Sequence, residues 1–206
     1  QDADLTLTYA HLSYSGYGIK NNRSAIFALS VTNSRLEFSG GGISIDQRPG
    51  GETVITDNVI SVGTSGDAIY WYGCCARDLP VLNISRNVIT NTQGSGVAVY
   101  YAWQGLTIDA NTISTKRGKG IDVRRSGGVI AITANTLENT DTDLYAYGGS
   151  GIEIYGPEST GGKDNAITSV TLQNNTLKKF GGEGALYFYG DNVTITSSIT
   201  GNTITD

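Results

Sequence analysis

A chain of 206 residues with a formal net charge of −5 is sized for one domain, and it carries no basic stripe for nucleic acid. No apolar run approaches the ~18 residues of a membrane-spanning helix. The single histidine, His11, excludes Ser-His-Asp chemistry and His-rich metal sites within these residues.

In chain order the predicted elements are short strands of three recurring kinds. The chain starts inside an alternating strand that carries Thr6 and Thr8, and the bend phrase Ala10-His11-Leu12 follows it. A similar run with Ser30 and Thr32 leads to Ser34-Arg35-Leu36. Gly42-Ile43-Ser44-Ile45 then opens a strand of another kind. The order repeats as Thr53–Thr56, Asn58-Val59-Ile60 and Ala68-Ile69-Tyr70-Trp71, then as Asn87-Val88-Ile89 and Gly96-Val97-Ala98-Val99. Leu106–Asp109, Asn111-Thr112-Ile113 and Gly120-Ile121-Asp122-Val123 come next. Ile130–Thr133, Asn135-Thr136-Leu137 and Gly151-Ile152-Glu153-Ile154 make another round. Val170–Gln173, Asn175-Thr176-Leu177, Ala185-Leu186-Tyr187-Phe188 and Asn202-Thr203-Ile204 complete the series. Strict alternation rich in Val, Ile and Thr marks half-buried strands, and no window has a helical period.

The bend phrases end at residues 12, 36, 60, 89, 113, 137, 177 and 204, in steps of 24, 24, 29, 24, 24, 40 and 27. Such a period marks a solenoid whose repeats bury their apolar faces only against one another. Like strands then stack in parallel, about 4.8 Å per coil. The recurring Asn is expected to take the left-handed conformation at a tight bend, which it tolerates best after Gly, and to hydrogen-bond from coil to coil. The expected fold is an all-β, right-handed parallel β-helix of about eight three-strand coils over residues 1–206. Ile, Leu and Val fill its core, with Trp71 and Phe188 pointing inward. The three-strand coil, with its Asn-laddered bend, resembles the β-helix proteins of the pectin-lyase-like superfamily over roughly residues 5–204. That resemblance implies a fold, and a substrate cleft on the sheet of Gly-led strands. Activity does not follow from it, since the group includes lyases, hydrolases, epimerases, esterases, tailspikes and non-catalytic surface domains. The polygalacturonase and alginate-epimerase motifs are absent.

Alternation sorts the Gly-led strands into two outward columns. One reads Ser44, Tyr70, Ala98, Asp122, Glu153 and Tyr187; the other reads Asp46, Tyr72, Tyr100, Arg124, Tyr155 and Tyr189. Six of the 12 tyrosines thus share one face, with Trp103 close by in the next loop. Exposed aromatics in file suit sugar rings, which stack C–H faces on aromatic planes while charged side chains bind hydroxyls or carboxylates. The expected binding residues are Tyr70, Tyr72, Tyr100, Tyr155, Tyr187, Tyr189, Asp46 and Trp103. The competing reading is a ligand-free Tyr ladder favoured by strand propensity. Asp122 and Glu153, neighbours in one column, could instead form a catalytic pair with Arg124, in a polysaccharide lyase or glycoside hydrolase. They could also hold Ca²⁺ with Asp141 or Asp143. Insertions at 138–150 and 156–166 would wall the cleft.

Other features carry less. Cys74 and Cys75 form either a vicinal disulfide or two free thiols, according to compartment. The second kind of strand presents Thr6, Thr8, Ser30, Thr32, Thr56, Thr107, Thr133, Thr171 and Thr200, an ice-binding pattern broken by Asn83, Ser85, Asp109, Ala131 and Gln173. Asn22, Asn83, Asn174 and Asn192 begin glycosylation-type triplets. Neither end shows a cap, which suggests a segment of a longer secreted or surface protein, or ends that pair end to end or side by side in an oligomer. The expectation is an extracellular or cell-surface domain that binds polysaccharide, without nucleic-acid or membrane partners; a purely structural stalk is a further alternative.

Overall fold

The structure, a computed structural model, describes residues 4–14, 16, 18–21, 28–46, 51–63, 66–73, 81–91, 93–141, 149–156, 167–181, 184–190 and 198–205. Among these residues every element is a strand, and no helix is long and apolar enough to cross a membrane.

Three sheets of eight, eight and seven strands run the length of the molecule, each strand paired with its equivalent one coil away. The pairing is parallel throughout, and the register follows the repeat: Leu82 lies opposite Leu106, Ile89 opposite Ile113, and Val97 opposite Ile121. This is the expected parallel β-helix, with Cys74 and Cys75 outside the described residues. The Gly-led sheet consists of Ile19–Lys20, Ile43–Asp46, Ile69–Tyr72, Val97–Tyr100, Ile121–Arg124, Ile152–Tyr155 and Leu186–Tyr189.

Alternation makes the core. Side chains at alternate positions point into the coil, so stacked Ile, Leu and Val form one continuous apolar column per sheet position. Trp71 is fully buried, and Phe188 packs against the same cluster. Each buried Ile or Leu contributes roughly 1.5–3 kcal/mol. Thr53 is an exception, stacked inward between Leu29 and Leu82 with its hydroxyl unpaired.

The bend departs from expectation in one respect. The ladder asparagines do not take the left-handed conformation; the residue before each of them does. Tyr9, Asn33, Asp57, Arg86, Ala110, Ala134 and Asn174 have φ between 50° and 59°, and Gly201 has φ 67°. The reason lies in where the Asn amide must go. Asn87 sends its amide beneath the bend: its Nδ2 donates to Ile55 O at 2.8 Å and to Asn111 Oδ1 at 3.0 Å, and its backbone N–H donates to the same Oδ1 at 2.9 Å. The turn must therefore be made one residue earlier. The same bonds repeat through Asn58, Asn111, Asn135 and Asn175; Asn202 ends the column, accepting from Asn175 and donating to Leu172 O, and Ser34 and Ala10 extend it at the other end by backbone N–H donation.

Candidate functional site

The Gly-led sheet places its outward side chains as alternation requires. One column runs Lys20, Ser44, Tyr70, Ala98, Asp122, Glu153, Tyr187. The other runs Asp46, Tyr72, Tyr100, Arg124, Tyr155, Tyr189. Parallel in-register pairing leaves no freedom here, since a slip of one residue would bury the tyrosines and expose the core.

The aromatic rings meet in two clusters. In the first, Tyr70 and Tyr72 stack at 6.3 Å between centroids, and Tyr100 lies 5.7 Å and 6.2 Å from them. Tyr101 packs edge-on to Tyr72 at 5.1 Å, and Trp103 lies 5.4 Å beyond Tyr101. In the second, Tyr155 sits 5.9 Å from Tyr187 and 5.4 Å from Tyr189. Arg124 joins the clusters, its guanidinium 5.7 Å from the Tyr100 ring and 4.9 Å from the Tyr155 ring. The six columnar tyrosines and Trp103 thus form one band.

Burial pushes the Tyr70 phenol up to about 12, with the Asp46 charge adding to the effect. Burial raises Tyr100 and Tyr72 as well. The phenols of Tyr70, Tyr72 and Tyr100 therefore stay protonated near neutral pH.

Asp122 and Glu153 differ from a solvated acidic pair. They project from the outer face, yet they are only 4% and 2% exposed. Lys119 and Arg124 lie across them. Lys119 Nζ donates to Asp122 Oδ2 at 3.2 Å and also to Glu153 Oε1, so one ammonium bridges both acids. Arg124 Nε donates to both Asp122 oxygens at 2.9 and 3.0 Å, and its Nη2 reaches Glu153 at 3.3 Å. Burial works against the charge on Arg124, but the Asp122 carboxylate outweighs it and holds the guanidinium above its ordinary value. Two buried anions compensated by two cations make a closed network.

Lys119, Tyr101, Arg125 and Asp67 escape the alternation argument because they sit at strand corners. Arg125 Nη1 donates to the Tyr101 hydroxyl at 2.7 Å, and its guanidinium lies 5.8 Å from that ring. Asp67 accepts the Ser95 N–H at 2.8 Å, and burial raises its carboxyl. The available signal for Lys119 is its place just before Gly120, where each coil turns into the sheet.

Asp141 is buried and pairs with Arg117 at 3.6 Å. Among the described residues, no three His, Cys, Asp or Glu side chains converge as metal ligands. Asp143 lies outside the described residues, as do residues 142–148 and 157–166 of the two insertions. His11 faces Glu37 at 3.5 Å on another sheet. The Thr face is broken by Val54 as well as by the residues foreseen, and its members bond to one another, Thr8 to Thr32 at 3.2 Å and Ser85 to Asn83 at 2.6 Å. A cavity of about 610 Å³, lined by Tyr14, Phe38 and Val62 among others, opens away from the tyrosine band.

A family description, right handed beta helix region, matches residues 1–160 and again 53–206, so the matches together span the chain. No curated protein and no solved structure matches it.

Proposed function

The chain belongs to the right-handed beta-helix family, and from that premise we propose that it binds polysaccharide along the tyrosine band of its Gly-led sheet. The single observation that carries this reading is the file of six tyrosines, joined ring to ring and through Arg124 along the helix axis. Rings packed against one another on a rigid sheet lose little entropy when a ligand covers them, and their open faces accept sugar C–H groups. Asp46 and the phenol hydroxyls supply hydrogen bonds to sugar hydroxyls. Each coil advances the band by about 4.8 Å, close to the length of one sugar in an extended chain. A glycan lying parallel to the axis would therefore meet a new side chain with each residue.

Binding fits the geometry better than cleavage. A glycosidase acid must carry a proton to the glycosidic oxygen, whereas Asp122 and Glu153 are covered and bonded to Lys119 and Arg124. Calcium at that pair would have to displace the same two cations. The reading implies an extracellular or cell-surface setting, where polysaccharides are found.

Isothermal titration of the full chain against a panel of oligosaccharides tests it. Tyr100→Ala and Tyr155→Ala should each weaken the best ligand about tenfold, equivalent to ~1.4 kcal/mol. Unchanged affinity in both variants would remove the band from the site. Failure to bind any glycan would favour a purely structural stalk. Release of reducing ends or unsaturated products would instead indicate an enzyme.

A further inference from the structure

Resting on the glycan-binding reading, we infer that the band selects uncharged polysaccharides over polyuronates. The charged groups in the middle of the band are committed to one another. Lys119 bridges both buried carboxylates. Arg124 donates through Nε and Nη2 to the same acids, and its guanidinium lies between the Tyr100 and Tyr155 rings, 5.7 Å and 4.9 Å from their centroids. A guanidinium recognises a carboxylate through its edge, by paired N–H donors, and the Nε/Nη2 edge of Arg124 is already taken by Asp122 and Glu153.

A uronate that takes the paired Nε/Nη2 edge of Arg124 would have to displace Asp122 and Glu153 from it. That would leave buried carboxylates uncompensated, a larger loss than one new ion pair at a partly exposed position returns. The exchange is therefore unfavourable for a uronate lying over that network. Arg125, farther along the band, directs a donor to the Tyr101 hydroxyl. At longer range the chain carries a net charge of −5, which repels a polyanion before contact. The band is thus left with ring faces and neutral phenols, which recognise C–H surfaces and hydroxyls.

The test compares neutral oligosaccharides (gluco-, xylo- and manno-series) with oligogalacturonate and oligoalginate, on the full chain, at ~0.01 M and ~0.3 M salt. We expect a neutral glycan to bind with less than about a twofold change in affinity across that salt range, and uronates to bind at least about tenfold more weakly. A uronate that binds more tightly than every neutral glycan, and weakens steeply with salt, overturns the selectivity. In that case the glycan-binding reading survives if Tyr100→Ala still weakens binding. Absence of binding to either class sinks the glycan-binding reading, and the selectivity with it. The double variant Asp122→Asn, Glu153→Gln frees Lys119 and Arg124. Once circular dichroism shows it folded, it should gain about tenfold or more in uronate affinity; a folded variant without that gain overturns the role given to the ion pairs.

Discussion

Asn135 is fully buried; its Nδ2 donates to Ile108 O and Asn175 Oδ1, and its own Oδ1 accepts the Asn111 backbone N–H. Truncation to alanine leaves several buried polar groups unmet, each costing about 1–3 kcal/mol. Asn135→Ala should therefore lower unfolding stability by about 3–5 kcal/mol. Asn202→Ala, at a partly exposed rung, should lose about half as much, and urea titration reads the difference. The Asn rungs are legible in the sequence because the phrase recurs. The left-handed residue before each rung is not, because Tyr9, Asp57, Arg86 and Ala134 share no side-chain type. The ladder holds each of them there against a cost of about 1–2 kcal/mol. Asp67 offers a pH test. Burial raises its carboxyl, so the charged form costs stability above its folded value, and no cost remains below the ordinary value of about 3.9. Asp67→Asn should raise the denaturation midpoint at pH 7, and the gain should vanish as pH falls below that value. An equal gain at pH 3 would mean that burial of the charge is not the cause.

The strand of the tyrosine sheet is the element that positions the site, and the small residue just before it, Gly or, at Ala68 and Ala185, Ala, explains its shape. At Gly96 an added Cβ would lie 2.2 Å from Ile113 Cγ2 and 2.8 Å from Gly120 O. The corner lets the chain pass close under the neighbouring coil before the strand begins. Gly96→Ala should therefore cost about 1–3 kcal/mol through overpacking, and the tyrosine band beside it should lose glycan affinity in proportion to any shift of Val97–Tyr100. Unchanged stability would mean that Ile113 can rotate away. At this scale the sequence was informative about columns and uninformative about corners. Alternation orders the tyrosines, Asp122, Arg124 and Glu153 correctly because a strand has only two faces. Corner residues such as Lys119 and Arg125 obey no period, so the ammonium that bridges the two acids had no signal beyond its place before Gly120. The burial of Asp122 and Glu153 depends in part on that ammonium and was hidden for the same reason.

The whole molecule behaves as a stack, so its stability should be nearly a sum of coils and the interfaces between them. Removal of residues 88–111 excises one period of 24, because it joins Asn87 directly to Thr112-Ile113 and restores the bend phrase. The cut removes one strand from each sheet, Val88–Asn91, Val97–Tyr100 and Gly105–Asp109. In the shortened chain Val59–Val62 would face Thr112–Thr115, and Tyr72 would take the place of Tyr100 beside Arg124. Asn87 would inherit the bonds that Asn111 makes to Asn135. The deletion variant should keep a β-sheet circular dichroism spectrum and unfold cooperatively at a lower midpoint. Its glycan affinity should fall, because the band loses Tyr100, Tyr101, Trp103 and one coil of length. A deletion of half that size, residues 88–99, removes the same kind of sequence but sets every later coil out of phase, so inward Ile and Leu no longer stack on their equivalents. That variant should fail to fold. If both deletions folded equally well, the vertical register between coils would not be what holds the tyrosines in line.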